Sequence, residues 1–532
     1  MVQTIARLLE RHPHLAALAC GLLAACGFQP LGIWPVALAG LGGFAWLVRA
    51  SSGRRGAFLR GWLFGVAHFT FTNNWIATAF TYQAEMPAAL GWAAVPLLSL
   101  YLAVFPGFAA AIARGLARPD SRGARLPAFG LILGACWIAT EWVRSWLFTG
   151  YAWGPLSMML VGPFDRPGAA RLLPFFGTYA LSGLVVVLAV LLLWTVTARR
   201  WLPLAGLAAV ATALMYWPAG APEQGTLRFT LAQPDLRQDD LNDASKFEDQ
   251  FLTIASLSVP RRDTEGEPRL VLWPESAVPD YLEPGYPQRY YTRMTAGGDP
   301  ALARSRIGRV IGEDSLLLTG VVHLEIENKD GYPRATGAYN SVSAIYPDGA
   351  LGLSYAKAHL VPYGEYLPMR ALLEPLGLNR LVAGSIDFIP GPGPRTLDLG
   401  EWGRAGVQIC YEIVFSGEVA DRADRPDYIF NPSNDGWFGA FGPPQHLTQA
   451  RMRAMEEGLP VLRATTTGIS AVIDTRGVVR SHIGMHRAER IDGIVPPAAS
   501  PTWFARLGHW LTLIWGALLL AAWLVARRFS KG

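Results

Sequence analysis

The sequence predicts a protein in two parts, in which several membrane-spanning helices are joined to one domain of mixed helices and strands. Long apolar runs fill residues 1–221 and 504–532, whereas residues 222–503 have the composition of an ordinary soluble domain. Charge divides along the same boundaries. Residues 222–503 contain 27 Lys and Arg against 36 Asp and Glu, and the remainder contains 19 against 5. A basic surplus between hydrophobic segments indicates membrane topology, and it does not form the basic face that nucleic-acid binding requires.

The apolar runs predict eight membrane-spanning helices, because a span needs about 20 mostly apolar residues. The predicted spans are residues 14–28, 32–48, 62–80, 88–112, 127–147, 175–196, 202–217 and 507–525. Seven of them lie in a membrane domain of residues 1–221, and the eighth lies in residues 504–532. The chain begins with a basic and then apolar segment, as a signal peptide does. Because further spans follow it, we expect this segment to be retained as the first helix.

Arginines alternate along the loops that join these spans. Arg49, Arg54, Arg55 and Arg60 share one loop, whereas the loops at 29–31 and 81–87 contain no basic residue. Basic loops stay on the cytoplasmic side of a membrane. The alternation therefore places both termini in the cytoplasm and residues 222–503 on the outer side.

Glu141 and Arg144 lie inside the fifth predicted span. Charged side chains at membrane depth are costly, and they are usually functional or paired. Two residues three apart on a helix can pair with each other. A structural ion pair and a contact to substrate are both consistent with this position.

Residues 222–503 alternate short apolar strands with helical stretches. The predicted strands are 227–232, 270–273, 316–322, 341–346, 407–410, 428–431 and 470–474, and the predicted helices are 243–256 and 448–457. This alternation, with buried strand cores, predicts an α/β or layered αββα domain.

Three ionisable residues stand at or near predicted strand ends: Cys410, Glu275 and Lys357. A thiol with a pKa of about 8.5 is little ionised at neutral pH, so a catalytic cysteine needs help from its neighbours. A carboxylate can take the thiol proton, and an ammonium group can lower the thiol pKa. Cys410 by itself also fits a small residue buried at the end of a strand.

Lys357 is unusual because the chain contains only four lysines against 42 arginines. It lies among apolar residues, which suggests a compact point charge that arginine cannot replace. An ordinary surface lysine is the alternative.

Three motifs resemble the Glu-Lys-Cys signature of the nitrilase, or carbon–nitrogen hydrolase, superfamily. They are Trp-Pro-Glu-Ser at 273–276, Lys357 followed by Val-Pro-Tyr-Gly-Glu at 361–365, and Ile-Cys-Tyr-Glu at 409–412. Together with the predicted spans, the whole chain is similar to the membrane-bound apolipoprotein N-acyltransferase family of that superfamily. The segments at 433–439 and 463–470 support this resemblance. It implies a nitrilase-like αββα sandwich in residues 222–503.

The resemblance also implies a mechanism. Glu275 would act as general base for Cys410, which would attack the sn-1 ester of a phospholipid, typically phosphatidylethanolamine. Lys357 and the Tyr411 N–H would stabilise the oxyanion. The resulting thioester would be resolved by the N-terminal amine of a diacylglyceryl-cysteine on an apolipoprotein. Glu365 is similar to a glutamate that orients the lysine or assists proton transfer.

Further expectations follow from the same resemblance. The supporting or pocket residues would be Glu365, Tyr411, Glu412, Asn434 and Trp437. Neither a cofactor nor a metal is expected, because no His/Cys cluster has metal-ligand spacing. The protein would lie in the bacterial inner membrane, with residues 222–503 in the periplasm.

The chain departs from the family pattern at two points. Thr466 stands where the family usually has asparagine, so a hydrogen bond is lost or replaced there. Residues 236–239 follow Gln233 and Pro234 where some members have a Lys-Trp pair, which puts an aromatic lipid contact in doubt.

The apolar stretch 366–388, directly after Glu365, predicts a lid that dips into the membrane interface, with an ordinary core helix as the alternative. Two other functions compete with acyl transfer. One is a membrane-tethered amidase that releases its acyl group to water, and the other is a catalytically silent receptor. Eight spans exceed what a tether needs, and the presence of all three catalytic residue types disfavours a silent receptor.

Overall fold

The computed structural model describes residues 11–82, 89–117, 126–261, 266–376 and 386–529. Helices lie in all eight predicted apolar segments. The longer helices described in this part are Pro13–Ala25 (α1), Trp34–Arg49 (α2), Arg54–Thr72 (α3), Ala89–Leu102 (α4), Val104–Leu116 (α5), Leu126–Trp146 (α6), Leu173–Thr197 (α7), Trp201–Tyr216 (α8) and, near the C-terminus, Trp510–Phe529.

Among the described residues, four stretches are long and apolar enough to cross a membrane: Ala89–Leu116, Leu126–Trp146, Ala169–Thr197 and Trp510–Arg528. Helices α1 and α8 are apolar but shorter. Helix α3 begins eight residues before the predicted span and takes in Arg54, Arg55 and Arg60. The structure therefore contains several helices that suit a membrane, and the count of eight spans stays a prediction.

Small residues let these helices approach closely. A Cβ atom on Gly61 of α3 would lie 2.5 Å from the backbone oxygen of Pro106 in α5. Helix pairs in membranes commonly pack through such small residues, because lipid offers them little hydrophobic driving force.

The second part of the chain is a sandwich of two six-stranded sheets. Its strands are Arg228–Gln233 (β1), Arg269–Leu272 (β2), Ser315–Lys329 (β3), Tyr332–Ile345 (β4), Leu351–Ala356 (β5), Thr396–Asp398 (β6), Arg404–Val407 (β7), Tyr428–Ser433 (β8), Val461–Thr465 (β9), Ser470–Ile473 (β10), Val479–Ile483 (β11) and Glu489–Ile494 (β12). The strand orders are β12-β1-β2-β3-β4-β5 and β11-β10-β9-β8-β7-β6. Strands β1 to β3 are parallel, as are β7 to β9.

Apolar side chains fill the space between the two sheets, with Leu231 and Leu318 from one and Val407 and Phe430 from the other. Helices Phe247–Ser258 (α9), Gln288–Met294 (α10) and Pro300–Ile311 (α11) belong to the first sheet's half of the sandwich, and α9 and α11 pack on its outer face. Helix Gly442–Glu457 (α12) covers the second sheet. The layered αββα prediction is thereby confirmed.

Three strand predictions were wrong in their limits. Strand β7 ends at Val407, and Cys410 instead opens a 3-10 turn, Cys410–Val414, although the sequence predicted a strand over 407–410. The apolar run continues past the strand because the turn is buried as well. Strands β3 and β4 form a hairpin of 15 and 14 residues whose exposed, polar outer half the apolar pattern did not reveal.

Helix α12 joins the sandwich to the membrane helices. Arg451 donates to the carbonyls of Gly162 and Pro163 at 2.7 and 2.8 Å. Gln445 donates to the Thr72 carbonyl at the end of α3 at 3.1 Å. Because these donors are buried, the sandwich is held in a fixed position over the membrane helices. The short helix Trp503–Leu507 (α13) then leads into Trp510–Phe529 (α14).

Candidate active site

Three loops of the sandwich bring the predicted catalytic side chains together. Glu275 follows β2, Lys357 follows β5, and Cys410 follows β7. The Nζ atom of Lys357 lies 3.0 Å from Glu365 Oε1 and 3.7 Å from Glu275 Oε1. Lys357 is only 1% exposed, so these carboxylates balance a charge that water does not reach.

Cys410 sits in a backbone conformation that non-glycine residues rarely adopt, with φ of 50°. Its carbonyl oxygen lies 3.0 Å from His446 Nε2, which must donate the hydrogen bond because a carbonyl only accepts. A peptide unit is planar, so fixing this carbonyl also fixes the direction of the Tyr411 N–H. Within the described part of the chain, that N–H finds no acceptor.

The thiol of Cys410 is held in its neutral form. Burial, with the negative charge of Glu275 as the next cause, raises its pKa well above the ordinary value, and Lys357 opposes both. Burial also acts to lower the pKa of Lys357, but Glu365 and Glu275 outweigh it and raise that pKa. The lysine therefore stays charged, while the thiol keeps its proton until a base removes it.

Asn340 on β4 bridges the two carboxylates, and sequence reasoning missed it. Its Nδ2 donates to Glu275 Oε1 at 2.7 Å and to Glu365 Oε1 at 2.8 Å. The β4–β5 pairing brings it to the site, because the Lys357 N–H donates to the Asn340 carbonyl at 2.8 Å. Asn340 therefore holds two like charges at fixed positions beside the lysine. Only the strand register places it there, so no local motif could have identified it.

Glu275 lies directly over strand β3, and Gly320 on that strand makes the close approach possible. A Cβ atom at position 320 would come within 2.7 Å of Glu275 Cα. On its other side, Glu275 Oε2 accepts the Asn434 backbone N–H at 2.8 Å. The carboxylate is thereby fixed from both sheets.

Glu412 ties the Cys410 turn to the strand end that carries Lys357. Its Oε2 accepts the Ile409 N–H at 2.8 Å, and its Oε1 accepts the Tyr355 hydroxyl and the Ala358 N–H, both at 2.8 Å. Burial raises the pKa of Glu412 to about 7. Its contacts position the loops, and within the described hydrogen bonds none joins it to Lys357, Glu275 or Glu365.

A buried polar network lies beneath the Cys410 turn, and the sequence did not predict its role. Arg463 Nη2 donates to both Asp435 oxygens at 2.8 and 2.7 Å, and Asp435 Oδ1 lies 3.0 Å from His446 Nδ1. All three residues are at most 2% exposed. Asp435 and Arg463 belong to motifs that carried the resemblance, which was the only signal available for them.

Asn434 connects several of the predicted residues. Its side chain donates to Gln238 Oε1 at 2.9 Å and accepts the Thr466 hydroxyl at 2.9 Å. Thr466, the first departure from the family pattern, therefore provides a hydrogen bond through its hydroxyl. In the second departure, residues 236–239, Gln238 contributes a polar contact to Asn434.

Tyr411 and Trp437 face the membrane helices. Tyr411 belongs to a buried apolar cluster that includes Trp75 and Trp153. The Trp437 ring packs edge-on against Tyr82, with ring centroids 5.9 Å apart. The turn that carries Cys410 thus rests directly on membrane-domain residues.

The predicted lid is described only in part, since residues 377–385 lie outside the described residues. Met369 and Leu372 are 64% and 62% exposed. Such exposure of apolar side chains suits a lipid interface, and the lid stays a prediction.

Glu141 and Arg144 do not pair directly. Glu141 Oε1 accepts the Trp137 indole N–H at 3.2 Å and the Leu156 N–H at 3.0 Å. Arg144 Nη2 reaches the Gly154 carbonyl at 3.5 Å. The described ion pairs include none between the two residues, so the structural ion pair expected as one alternative is not formed.

Comparison with known proteins assigns the chain to a family. Residues 20–191 match the model of the apolipoprotein N-acyltransferase N-terminal domain, and residues 238–487 match that of the carbon–nitrogen hydrolases. The apolipoprotein N-acyltransferase of Rhodopseudomonas palustris is 33% identical, over 96% of this chain and 95% of its own. This chain belongs to the apolipoprotein N-acyltransferase family.

A second relative agrees with that assignment. The apolipoprotein N-acyltransferase of Bradyrhizobium diazoefficiens is 34% identical, over 97% of this chain and 95% of its own. A solved nitrilase-superfamily amidase from Nesterenkonia covers 56% of this chain and 100% of its own, with 18% identity and a TM-score of 0.37. Membership makes the chain an enzyme of the carbon–nitrogen hydrolase superfamily that carries a helical membrane part.

Proposed function

We propose that this chain transfers an acyl group from the sn-1 position of a phospholipid to the N-terminal amine of a diacylglyceryl-cysteine on an apolipoprotein. Phosphatidylethanolamine is the proposed donor. Cys410, Glu275 and Lys357 are the proposed catalytic residues. The family assignment supports the reaction class, and the buried Glu-Lys-Cys cluster seated on membrane helices supports the route.

In the first half-reaction, Glu275 removes the proton of the Cys410 thiol, and the thiolate attacks the ester carbonyl. A new C–S bond forms as the carbonyl electrons move onto oxygen. Lys357 and the Tyr411 N–H donate to this oxyanion, which is the position where preorganised donors lower a barrier most. When the tetrahedral intermediate collapses, the ester oxygen leaves with the proton from Glu275 as a lysophospholipid.

In the second half-reaction, the acceptor amine attacks the thioester carbonyl. Glu275 takes a proton from the amine, and the Cys410 thiolate leaves and is reprotonated. Glu365 keeps Lys357 in place, because its Oε1 accepts a hydrogen bond from the Lys357 ammonium group at 3.0 Å. The thiol with a raised pKa is a stable resting state, so the nucleophile forms only when Glu275 acts on it.

Placement at a membrane explains the choice of an amine over water. Both substrates carry acyl chains, so they meet at the outer surface of the bilayer, where we place residues 222–503. We place the chain in the inner membrane, with both termini in the cytoplasm. Exclusion of water protects the thioester from hydrolysis. The contacts of Tyr411 and Trp437 with the membrane part support this placement.

Incubation of the purified protein with acyl-labelled phosphatidylethanolamine and a diacylated lipopeptide tests the proposal. We expect label on the lipopeptide, loss of transfer in Cys410→Ser, and full transfer in the control Cys136→Ser, whose cysteine lies in α6. Transfer by Cys410→Ser would overturn the assignment. Label that appears only as free fatty acid, with or without lipopeptide, would favour the amidase alternative.

A further inference from the structure

Arg144 at the end of α6 is a buried cation with unsatisfied donors. It is 2% exposed, and its Nε and Nη1 atoms have no hydrogen-bond partner within the described chain. The one hydrogen bond described for its side chain, to the Gly154 carbonyl, is long at 3.5 Å. A buried charge that leaves N–H groups unpaired is costly, and such groups in membrane proteins commonly mark a ligand site.

Other unsatisfied donors belong to the segments around Arg144. The Tyr151 hydroxyl, the Asn73 amide nitrogen and the Trp75 indole nitrogen are buried without partners in the part of the chain described. The guanidinium lies 5.1 Å from the ring centroid of Phe69, one turn before Asn73, and 5.9 Å from that of Tyr151. We call Arg144, Tyr151, Asn73 and Trp75 the donor cluster. A set of donors that includes a guanidinium suits an anion with several oxygens.

The nearest carboxylate of the same helix does not neutralise this site by contact. Glu141 lies one turn earlier, and its Oε1 is engaged by Trp137 and Leu156. Its Oε2 has no partner among the described residues, and the described ion pairs include none with Arg144. Glu141 therefore lowers the cost of the Arg144 charge at a distance but leaves its N–H groups unused.

The donor cluster lies on the membrane side of the nucleophile turn. Tyr411, which follows Cys410, packs in one apolar cluster with Trp75 and Trp153, against which Tyr151 also packs. Burial raises the pKa of the Tyr411 phenol, and the charge of Arg144 is the strongest influence against that rise. Asn73 caps the end of α3 that helix α12 of the sandwich contacts through Gln445. The cluster thus stands where the sandwich meets the membrane helices.

From this arrangement we propose that Arg144, with the donor cluster, binds the phosphate of the phospholipid donor. This inference rests on the proposed function. It adds a second point at which the phospholipid binds, besides the sn-1 ester at Cys410. The three-carbon glycerol backbone joins the phosphate to the sn-1 ester, so the two binding points must be neighbours. Gripping the phosphate would orient the ester toward Cys410. The diacylglyceryl-cysteine acceptor carries no phosphate, so Arg144 acts in the first half-reaction alone.

The test compares two donors that differ only in the head group: phosphatidylethanolamine and 1,2-diacylglycerol with the same acyl chains. For Arg144→Gln, we expect thioester formation from phosphatidylethanolamine to slow about tenfold or more, since a hydrogen-bonded charge is lost. Formation from diacylglycerol should stay within about twofold of its wild-type rate. Arg144→Lys should recover part of the loss, because it restores the charge but not the fork of donors.

Three controls complete the test. Arg166→Gln removes a cation from the same outer loop region without touching the donor cluster, and it should match wild type. Acyl-enzyme formed from diacylglycerol should pass its acyl group to the lipopeptide at the wild-type rate in Arg144→Gln. Inorganic phosphate should not inhibit the wild type, and inhibition that Arg144→Gln abolishes would reassign the site to a free anion.

Equal losses with both donors would make the role of Arg144 structural and overturn the proposal. An unchanged rate with phosphatidylethanolamine would overturn it as well. If wild-type protein acylates Cys410 from neither donor, the proposed function itself fails, which is a separate result.

Discussion

Replacing Asn340 with alanine should slow thioester formation about 100-fold. Asn340 donates at 2.7 and 2.8 Å to the carboxylates of Glu275 and Glu365. Hydrogen bonds to charged groups contribute about 1.5–3 kcal/mol each. The lower figure for both bonds gives about 3 kcal/mol, or about 100-fold in rate at 1.36 kcal/mol per factor of ten.

The lower figure is the appropriate one, because each carboxylate keeps other donors. Asn434 N–H still reaches Glu275 Oε2 at 2.8 Å, and Val361 N–H still reaches Glu365 Oε2 at 2.7 Å. What the variant loses is the fixed separation of two like charges around Lys357. Asn340→Asp should be slower still at pH 7, because it adds a third negative charge to the same site.

The assay is single-turnover acylation of Cys410 by labelled phosphatidylethanolamine, without acceptor. Asn328→Ala is a matched control, since Asn328 is exposed at the far end of the β3–β4 hairpin. We expect the control to react as wild type. If Asn340→Ala stays within threefold of Asn328→Ala, the bridging role of Asn340 is refuted.

Four further predictions concern single groups of the site. Because burial and Glu275 raise the pKa of Cys410, its alkylation by iodoacetamide should be slow at pH 7 and should speed up as pH rises. Glu275→Gln removes the negative charge, so alkylation at pH 8 should rise several-fold while acyl transfer falls about 100-fold; slower alkylation would contradict this. His446→Ala should lower kcat about 10- to 100-fold with KM within twofold, since the Tyr411 N–H loses its orientation. The control His482→Ala changes an exposed residue and should leave kcat unchanged. An effect of His446→Ala on KM alone would refute the role of His446. Thr466→Val removes one neutral hydrogen bond, so the rate of acyl transfer should fall about fivefold. Thr466→Asn should recover that rate. An unchanged rate in Thr466→Val would show that this bond is dispensable.

Some of the site could be predicted from sequence because its residues carry their own signal. Cys410, Glu275 and Lys357 are the residue types that thiol catalysis requires, and each stands beside an apolar strand. Helix positions were predictable for the same kind of reason, since an apolar run of sufficient length is itself the signal. The structure buries all three catalytic candidates, with Lys357 Nζ 3.7 Å from Glu275 Oε1, and the charges of both act on the Cys410 thiol.

The rest depends on long-range pairing that sequence spacing does not reveal. Asn340 reaches the site only because β4 lies beside β5, and His446 reaches the Cys410 carbonyl only because α12 packs under the turn. The end of β7 was misplaced because burial continues through Cys410 while the backbone turns. Arg144 looked like half of an ion pair, and its unsatisfied donors became visible only in three dimensions.

The central claim is that the acyl group passes through a thioester on Cys410, and peptide mass spectrometry tests it most directly. The protein is mixed with phosphatidylethanolamine of one acyl composition, without acceptor, and digested under mild acid. We predict one acyl mass on the peptide that contains Cys410, removed by neutral hydroxylamine and by added diacylated lipopeptide. An acyl group found on another residue, or transfer to lipopeptide with Cys410 never acylated, would contradict the account.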